Sequence, residues 1–393
     1  MNIKKKTISI VCILSLLITI ALTGCNNTAT ESSSNNTTEA VTVSETQPVT
    51  VSETEAKSFE TVSATVKQID QYGDVRFDIE KIDLEYGDSV NVTFSGGYEL
   101  KDIPYYPDFY GNMGSSILTN YFPNISVAAI GCSLNKTANI QENEKVVIEL
   151  AEKGKYKKEY EAYNISNGIS RLEGQTVEEF MNAREITAGQ IQSNRLYRSP
   201  SPFDEKFGRV EMIGEYLKEH QINVILDMAD TEEKLNSYKN LPEYTASMIS
   251  SGKVIPCRIG VDYLEAEAMK ITGKGLTTMA NSDGPYLIHC NLGRDRTGVI
   301  CAVLEALCGA TYQEIVDDYM VSYDKVHRIN MDPSSLQYKL FKLRIDEQLE
   351  AVLGISIDQL STADLKTPAH DYLSRCGMSE ESIELLINKL TSE

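Results

Sequence analysis

The sequence predicts an α/β fold with a central, mainly parallel sheet flanked by helices, preceded by a small all-β domain. Two patterns support this prediction. After about residue 165, short apolar strands alternate with helical segments, which is typical of a sheet covered on both faces. Over residues 61–160 the apolar side chains instead tend to alternate one by one, as they do in half-buried strands. The 393 residues are enough for both units.

The all-β prediction depends on four alternating segments, at residues 65–69, 75–79, 90–94 and 146–150. Pairs such as Gly73-Asp74 and Gly87-Asp88 lie between them and indicate turns. We therefore expect a small barrel or sandwich over residues 61–160. A group of aromatic residues is expected to serve packing there, with binding of a ligand or glycan as the alternative. Its members are Tyr105, Tyr106, Phe109 and Tyr110.

The α/β prediction covers residues 165–393. Compact apolar strands are expected at 222–226, 254–259 and 286–290, and a helix is expected at 210–220. Further helices are expected at 371–376 and 379–391, because Gly377 suits a helix end and Ser379 suits a new N-cap.

Composition argues against several classes of protein. The chain carries 57 acidic and 37 basic residues, a net charge of −20, so the nucleic-acid backbone would repel it and we expect no nucleic-acid partner. The eight cysteines contain no CxxC pair, which argues against a disulfide-built miniprotein and a zinc site. We expect no metal and no cofactor. Five cysteines are interpreted as small core residues: Cys132, Cys257, Cys301, Cys308 and Cys376.

The N-terminus has the features of an export signal. Three lysines, Lys4, Lys5 and Lys6, precede an apolar run at residues 8–22 that is shorter than the roughly twenty residues of a spanning helix. The run ends in Leu-Thr-Gly-Cys at residues 22–25, which resembles the bacterial lipobox. That resemblance implies a signal peptide over residues 1–24, a lipid on Cys25 and an extracytoplasmic protein anchored to the bacterial cell membrane. An ordinary signal peptide or an uncleaved anchor is the alternative.

The segment after Cys25 is predicted to be a tether. Residues 26–60 contain eighteen Ser, Thr or Asn among thirty-five. With few large apolar side chains it cannot form a core, so an extended, flexible segment is expected. The predicted organisation is therefore a signal at 1–24, a lipidated cysteine and tether at 25–60, a β-domain at 61–160 and an α/β domain at 165–393.

The strongest functional signal is His-Cys-Asn-Leu-Gly-Arg-Asp-Arg-Thr-Gly at residues 289–298, between a predicted strand and an apolar helix. A helix N-terminus, inward backbone N–H groups and a nearby guanidinium would stabilise a thiolate at Cys290. The N–H groups would also hold phosphoryl oxygens, and Arg296 would bind two of them with its planar fork. Gly293 permits close approach of the backbone, and Thr297 can donate its hydroxyl to the sulfur. The predicted phosphate-binding residues are Asn291, Leu292, Gly293, Arg294, Asp295 and Arg296.

The pattern H-C-x5-R-T resembles the signature of the protein tyrosine and dual-specificity phosphatase superfamily. Segments 196–199 and 315–322 look like the branch of secreted bacterial tyrosine/lipid phosphatases, so the resemblance covers about residues 170–393. It implies the cysteine-phosphatase fold, a cysteinyl-phosphate on Cys290 and a phosphorylated protein or lipid as substrate. His289 is then expected to orient neighbouring groups and not to act as a base. That branch usually has Lys where this chain has Arg294, which leaves open whether its phosphoinositide preference applies.

The resemblance also implies an aspartate that protonates the leaving oxygen and later activates water. In the superfamily it lies on a loop after the strand that precedes the strand leading to the cysteine. Asp262 lies 28 residues before Cys290 and directly follows a predicted strand. Asp227 is the alternative, because this branch often has an aspartate there, and Asp295 could assist.

The β-domain has a resemblance of its own. Residues 70–74 and 102–106 loosely resemble the C-terminal barrel of S-adenosylmethionine hydroxide adenosyltransferase and halogenase proteins. The resemblance implies a possible fold and no activity, because the domain that supplies the other half of that binding site is not found in this sequence.

Taken together, these patterns predict a surface-anchored phosphatase that hydrolyses phosphate monoesters, with phosphotyrosine protein as the favoured substrate. A phosphoinositide or inositol-polyphosphate phosphatase is the first alternative. A surface module that binds phosphorylated ligands with little turnover is the second, although the presence of Cys290, Arg296 and Thr297 argues against it.

Overall fold

The computed structural model describes residues 61–70 and 72–392. The predictions for the signal segment, the lipidated Cys25 and the tether lie outside these residues. All the described residues belong to one compact unit. Within them, no helix combines the length and the apolar character needed to cross a membrane.

Seven strands of the described chain close into a barrel in the order β1-β2-β6-β5-β4-β3-β7. All neighbours are antiparallel except β4 and β5, which are parallel. The strands are β1 Val62–Ile69, β2 Val75–Phe77, β3 Ser89–Phe94, β4 Glu99–Tyr106, β5 Ser116–Thr119, β6 Ser126–Ala129 and β7 Lys145–Glu152.

Strand β3 shows the alternation that the sequence predicts for the barrel. Along β3, Val90, Val92 and Phe94 are buried, while the residues between them are half-buried. Inward apolar side chains from neighbouring strands form one hydrophobic core. Strand β1 pairs with β7 and closes the sheet, so no free edge is left between these two strands. The expectation of a barrel-like N-terminal sheet is confirmed.

The second sheet has the order β11-β10-β12-β9-β8. Neighbouring strands are parallel except for β8, which runs antiparallel to β9. In this register Asp227 lies beside His289, and Ile288 lies beside Arg198. The strands are β8 Arg184–Ile186, β9 Leu196–Ser199, β10 Val224–Asp227, β11 Val254–Pro256 and β12 Tyr286–His289.

Helices cover both faces of this sheet. Alternate residues of β12 enter different cores, since Ile288 packs in one cluster and Leu287 in the other, so the mixed α/β prediction is confirmed. The helices are α1 Leu134–Ala138, α2 Lys157–Tyr163, α3 Val177–Met181, α4 Val210–Glu219, α5 Glu232–Ser237, α6 Glu243–Ser250, α7 Ala266–Ala280, α8 Asp295–Leu307, α9 Tyr312–Ser322, α10 Leu336–Leu353, α11 Lys366–Arg375 and α12 Glu380–Thr391. Short 3-10 turns lie at Glu205–Phe207 and Ile357–Gln359, and a π-helical turn follows α9 at Tyr323–His327.

Several details differ from the sequence-based expectations. The strand expected at 254–259 ends at Pro256, after which the chain leaves the sheet as a loop. The helix expected at 371–376 already begins at Lys366. Ser379 caps α12 as expected, with its Oγ accepting a hydrogen bond from the N–H of Ser382 at 3.3 Å. The interpretation of Cys132 as a core residue is wrong, because this side chain is exposed.

Aromatic packing joins the barrel to the rest of the described chain. The ring of Tyr110, in the segment after β4, stacks on that of Tyr163 at the end of α2, with centroids 5.4 Å apart. Tyr163 in turn packs edge-on against Phe341 of α10. Of the four aromatic residues singled out, Tyr105 and Tyr106 are buried core residues, while Phe109 and Tyr110 line a cavity described below. The domain boundary between residues 160 and 165 stays a prediction.

Candidate active site

Residues 290–296, called the phosphate loop below, run from the end of β12 into the first turn of α8. The chain turns sharply at Gly293, whose φ of +64° suits glycine. A Cβ at this position would lie 2.4 Å from the backbone carbonyl of Ser199. A glycine is therefore required both by the backbone angle and by the close packing of the loop against the end of β9.

The carbonyl groups of the phosphate loop are held from outside. Asn291 O accepts a hydrogen bond from Ser201 N–H at 3.2 Å, Leu292 O accepts one from Asn182 Nδ2 at 3.4 Å, and Gly293 O accepts one from Arg198 Nη2 at 2.9 Å. Because a trans peptide places its N–H opposite its C=O, these contacts turn the N–H groups of residues 292–294 inward. With the N-terminus of α8 they form a ring of donors suited to an anion.

Arg198 is a site residue that sequence reasoning missed. It is fully buried on β9 and forms an ion pair with Asp318 of α9. Asp318 also binds Arg184 Nε at 2.8 Å. Although burial opposes it, these two guanidinium groups lower the pKa of Asp318 to about 2. The sequence does contain a signal for this residue, because Arg198 lies within a short buried strand. A charge at such a position requires a partner.

Cys290 directly follows β12 and is 3% exposed. Burial alone would raise the pKa of its thiol, but the charge of Arg296 and the donors of Thr297 outweigh burial, and the pKa is lowered. The hydroxyl of Thr297 is buried and has no other hydrogen-bond partner among the described residues. The arrangement therefore favours a thiolate, which is the reactive form of cysteine.

Arg296 lies where its guanidinium can bind both the protein and a ligand. Its Nη1 donates to Met228 O at 2.8 Å and to Ile259 O at 3.3 Å. These carbonyls belong to the segments that follow β10 and β11, so two strand ends fix the orientation of the side chain. Its Nε and Nη2 have no acceptor within residues 61–70 and 72–392, which leaves one fork available for two oxygens of a tetrahedral anion.

Asp227 and His289 lie side by side below the loop, both fully buried. Asp227 Oδ1 accepts the N–H groups of Ala229 at 2.9 Å and Asp230 at 3.1 Å and lies 3.5 Å from His289 Nε2. Burial raises the pKa of Asp227 to about 6 and lowers the pKa of His289 to about 4. His289 is thus neutral near pH 7, and Asp227 supports the turn that presents Met228 O to Arg296.

Arg294 is bound by neighbouring residues. Its Nε and Nη2 contact the Asp295 carboxylate at 2.9–3.1 Å, and its Nη1 lies 2.9 Å from His327 Nε2. Because arginine only donates, His327 Nε2 accepts here and its Nδ1 donates to Ser166 O, 2.8 Å away. Although burial opposes it, the Arg294 guanidinium holds the pKa of Asp295 at about 2. The charge of Arg294, which was predicted to bind phosphate, is therefore paired with Asp295 of the same loop.

Asp262 lies in the segment between β11 and α7 and is half-buried. Its Oδ1 accepts the N–H of Leu264 at 3.3 Å. The next residue, Tyr263, is 3% exposed, and burial, with the nearby charges of Asp295 and Cys290, raises the pKa of its hydroxyl well above its ordinary value. The same segment supplies Ile259 O to Arg296. Asp262 is thus the more accessible of the two aspartates proposed as the acid, and Asp227 the enclosed one.

Comparison with known proteins includes an extended match to a family model. The model of the tyrosine phosphatase family matches residues 176–392. A tyrosine-protein phosphatase from Nostoc commune is 46% identical over 43 residues, which cover 11% of this chain and 15% of that protein. This chain thus spans far less than two thirds of that relative.

Two solved structures show weak similarity. The core catalytic domain of the PP-IP phosphatase SIW14 from S. cerevisiae, in complex with citrate, is 17% identical, covers 48% of this chain and 91% of its own, and has a TM-score of 0.27. An uncharacterized conserved protein from Thermotoga maritima is 18% identical, covers 22% of this chain and 35% of its own, and has a TM-score of 0.20. The family match covers more than half of the chain and includes the whole phosphate loop. The chain therefore belongs to the tyrosine phosphatase family.

Proposed function

We propose that the protein hydrolyses phosphate monoesters, with phosphotyrosyl protein as its substrate, through a cysteinyl-phosphate on Cys290. The observation that carries this proposal is the buried Cys290 thiol of lowered pKa at the start of a loop whose carbonyls are turned outward. Arg296, fixed by two carbonyls, offers its free fork beside that thiol. Such preorganised donors stabilise the charge that develops on a transferring phosphoryl group.

The proposed reaction has two steps. The Cys290 thiolate attacks phosphorus, and the bond to the tyrosyl oxygen breaks with its electron pair on that oxygen, which takes a proton from an aspartic acid. The resulting aspartate then takes a proton from water as the water oxygen attacks phosphorus. The S–P bond breaks with its pair on sulfur, where the hydroxyl of Thr297 stabilises the thiolate again. Inorganic phosphate is released.

Asp262 remains the favoured acid. Its partial exposure on the segment beside Tyr263 supports this role. Asp227 has a raised pKa of about 6, which suits an acid, but both its burial and its two N–H donors favour a structural role. Asp295 is ionised through its pair with Arg294.

The choice between the two aspartates is testable with leaving groups of different stability. We expect Asp262→Asn to lower kcat for a phosphotyrosyl peptide roughly 100-fold, because tyrosinate needs a proton to leave. Turnover of para-nitrophenyl phosphate, whose leaving group is a stable anion, should fall much less. Asp227→Asn should lower kcat for both substrates by similar factors if Asp227 supports the turn that presents Met228 O. If instead Asp227→Asn lowered kcat mainly for the peptide, and Asp262→Asn lowered it equally for both substrates, the acid would be Asp227.

The substrate class is tested by a direct comparison of rates. Residues 61–393 should hydrolyse phosphotyrosyl peptides with a higher kcat/KM than a phosphoinositide or an inositol polyphosphate. A preference for either of the latter would replace the proposed substrate but keep the reaction. Binding of phosphorylated ligands without any turnover would reject the enzyme and favour a binding module.

We also propose attachment of the protein to the outer face of the bacterial cell membrane through a lipid on Cys25. The support is the sequence around residues 4–25, where basic residues, a short apolar run and Leu-Thr-Gly-Cys occur in order. Mass spectrometry of the mature N-terminal peptide from membranes tests this. An unmodified Cys25 within a longer peptide would contradict it.

A further inference from the structure

A cavity of about 640 Å³ lies beside the phosphate loop. On one side it is lined by residues of the loop and its neighbours, among them Arg294, Asp295 and Tyr263. On the other side it is lined by residues of the barrel, among them Phe109 and Tyr121. The cavity is far larger than a single phosphoryl group needs, so it has room for the organic part of a substrate.

The barrel side of this cavity is an aromatic wall, made by Phe109 and Tyr121. Their ring centroids are 5.2 Å apart and their planes meet at 68°, an edge-to-face contact. Tyr121 lies between β5 and β6 and is 56% exposed. Opposite the barrel, Val261 of the Asp262 segment also lines the cavity and is 48% exposed. Exposed apolar side chains on both sides of one cleft are typical of a binding groove.

Helix α10 holds the aromatic wall in place. Glu347 Oε2 accepts the N–H of Met113 at 2.9 Å, and Arg344 Nη2 donates to Phe109 O at 3.4 Å. The Arg344 guanidinium also lies over the Phe341 ring, 5.4 Å from its centroid. The barrel loops therefore have a defined position relative to α10, which lines the same cavity, as a specificity element requires.

The chemistry of the cavity favours one occupant. Aromatic and aliphatic faces suit the apolar flanks of a peptide, while an inositol polyphosphate carries charge on all sides and gains little from them. Arg294, which could bind a second phosphate, is neutralised by Asp295. On the basis of the proposed function, we propose that the barrel forms half of the substrate cleft, and that Phe109 and Tyr121 bind the peptide segment that carries the phosphotyrosine.

Two exposed barrel tyrosines provide a matched test. Tyr121 is 56% exposed and lines the cavity, while Tyr72 is 57% exposed and does not line it. We expect Tyr121→Ala to raise KM for a phosphotyrosyl peptide roughly 3–10-fold with little change in kcat, the loss of one aromatic contact. Tyr72→Ala should change neither constant. Both variants should hydrolyse para-nitrophenyl phosphate, which has no flanking peptide to contact the wall, as the wild type does.

The outcomes separate this inference from the proposed function. If the wild type hydrolyses the peptide but Tyr121→Ala and Tyr72→Ala behave alike, the barrel takes no part in substrate binding. An equal loss of activity toward the peptide and para-nitrophenyl phosphate in Tyr121→Ala would likewise overturn the inference, since it would indicate a general disturbance of the active site. If the wild type turns over neither substrate, the proposed function itself fails.

Discussion

Replacing Cys290 by serine should abolish turnover, with kcat falling on the order of 10⁴-fold or more. A serine hydroxyl at this position would remain protonated, because no residue beside it in the described part of the chain acts as a base. His289 Nε2 faces Asp227, and the lowered pKa of Cys290 arises from charge and hydrogen bonding without a proton acceptor. Steady-state hydrolysis of a phosphotyrosyl peptide by residues 61–393 measures the loss.

Binding should survive in the same variant. The fork of Arg296 and the inward N–H groups of the phosphate loop are unchanged in Cys290→Ser, so the peptide should bind with an affinity similar to its affinity for the wild type, as measured by calorimetry. Cys308→Ser is a matched control, since Cys308 is another buried cysteine whose thiol pKa burial raises to about 12. It should leave kcat within about twofold. Substantial activity in Cys290→Ser would rule out the cysteinyl-phosphate.

The thiolate itself can be observed through its pH dependence. A free thiol has a pKa of about 8.5, and the pKa of Cys290 is lowered from its ordinary value. Burial instead raises the pKa of Cys257 to about 12 and that of Cys376 to about 11. Alkylation by iodoacetamide at pH 6 should therefore modify Cys290 well before these two, and labelling should be blocked by inorganic phosphate.

The phosphate loop could be predicted because its chemistry is local. The cysteine, glycine, arginine and threonine of the motif lie within eight consecutive residues, and the preceding strand and following helix have clear apolar patterns. Four of the seven barrel strands, β1, β2, β3 and β7, could be predicted for the same reason, since alternation is a property of each short segment.

The residues that support the loop could not be predicted in this way. Arg198 reaches Gly293 O only because β9 pairs with β12, and its partner Asp318 lies 120 residues further along the chain. The aromatic wall depends on a loop of the barrel meeting α10, a contact across more than 200 residues. Such contacts follow from the tertiary packing of whole elements, which leaves no spacing pattern in the sequence.

Arg296→Lys should lower kcat roughly 1,000-fold, on the scale of losing a preorganised donor at a developing charge. In the proposed reaction the guanidinium performs two tasks together, since its Nη1 binds Met228 O and Ile259 O while the other fork is available for two phosphoryl oxygens. A lysine ammonium is a single point of charge and cannot span both sets of acceptors. The kcat of this variant should therefore fall although its net charge is unchanged.

A second substitution separates charge from geometry. Arg296→Met removes the charge that lowers the pKa of Cys290, so its kcat/KM should reach a plateau only at higher pH than in the wild type, whereas Arg296→Lys should keep a pH profile close to that of the wild type. Arg258→Lys, an exposed arginine on the neighbouring segment, is the control and should alter neither rate nor profile. If Arg296→Lys retained full kcat, the two-oxygen fork would not contribute to the reaction, and Arg296 would act only through its charge on the thiol.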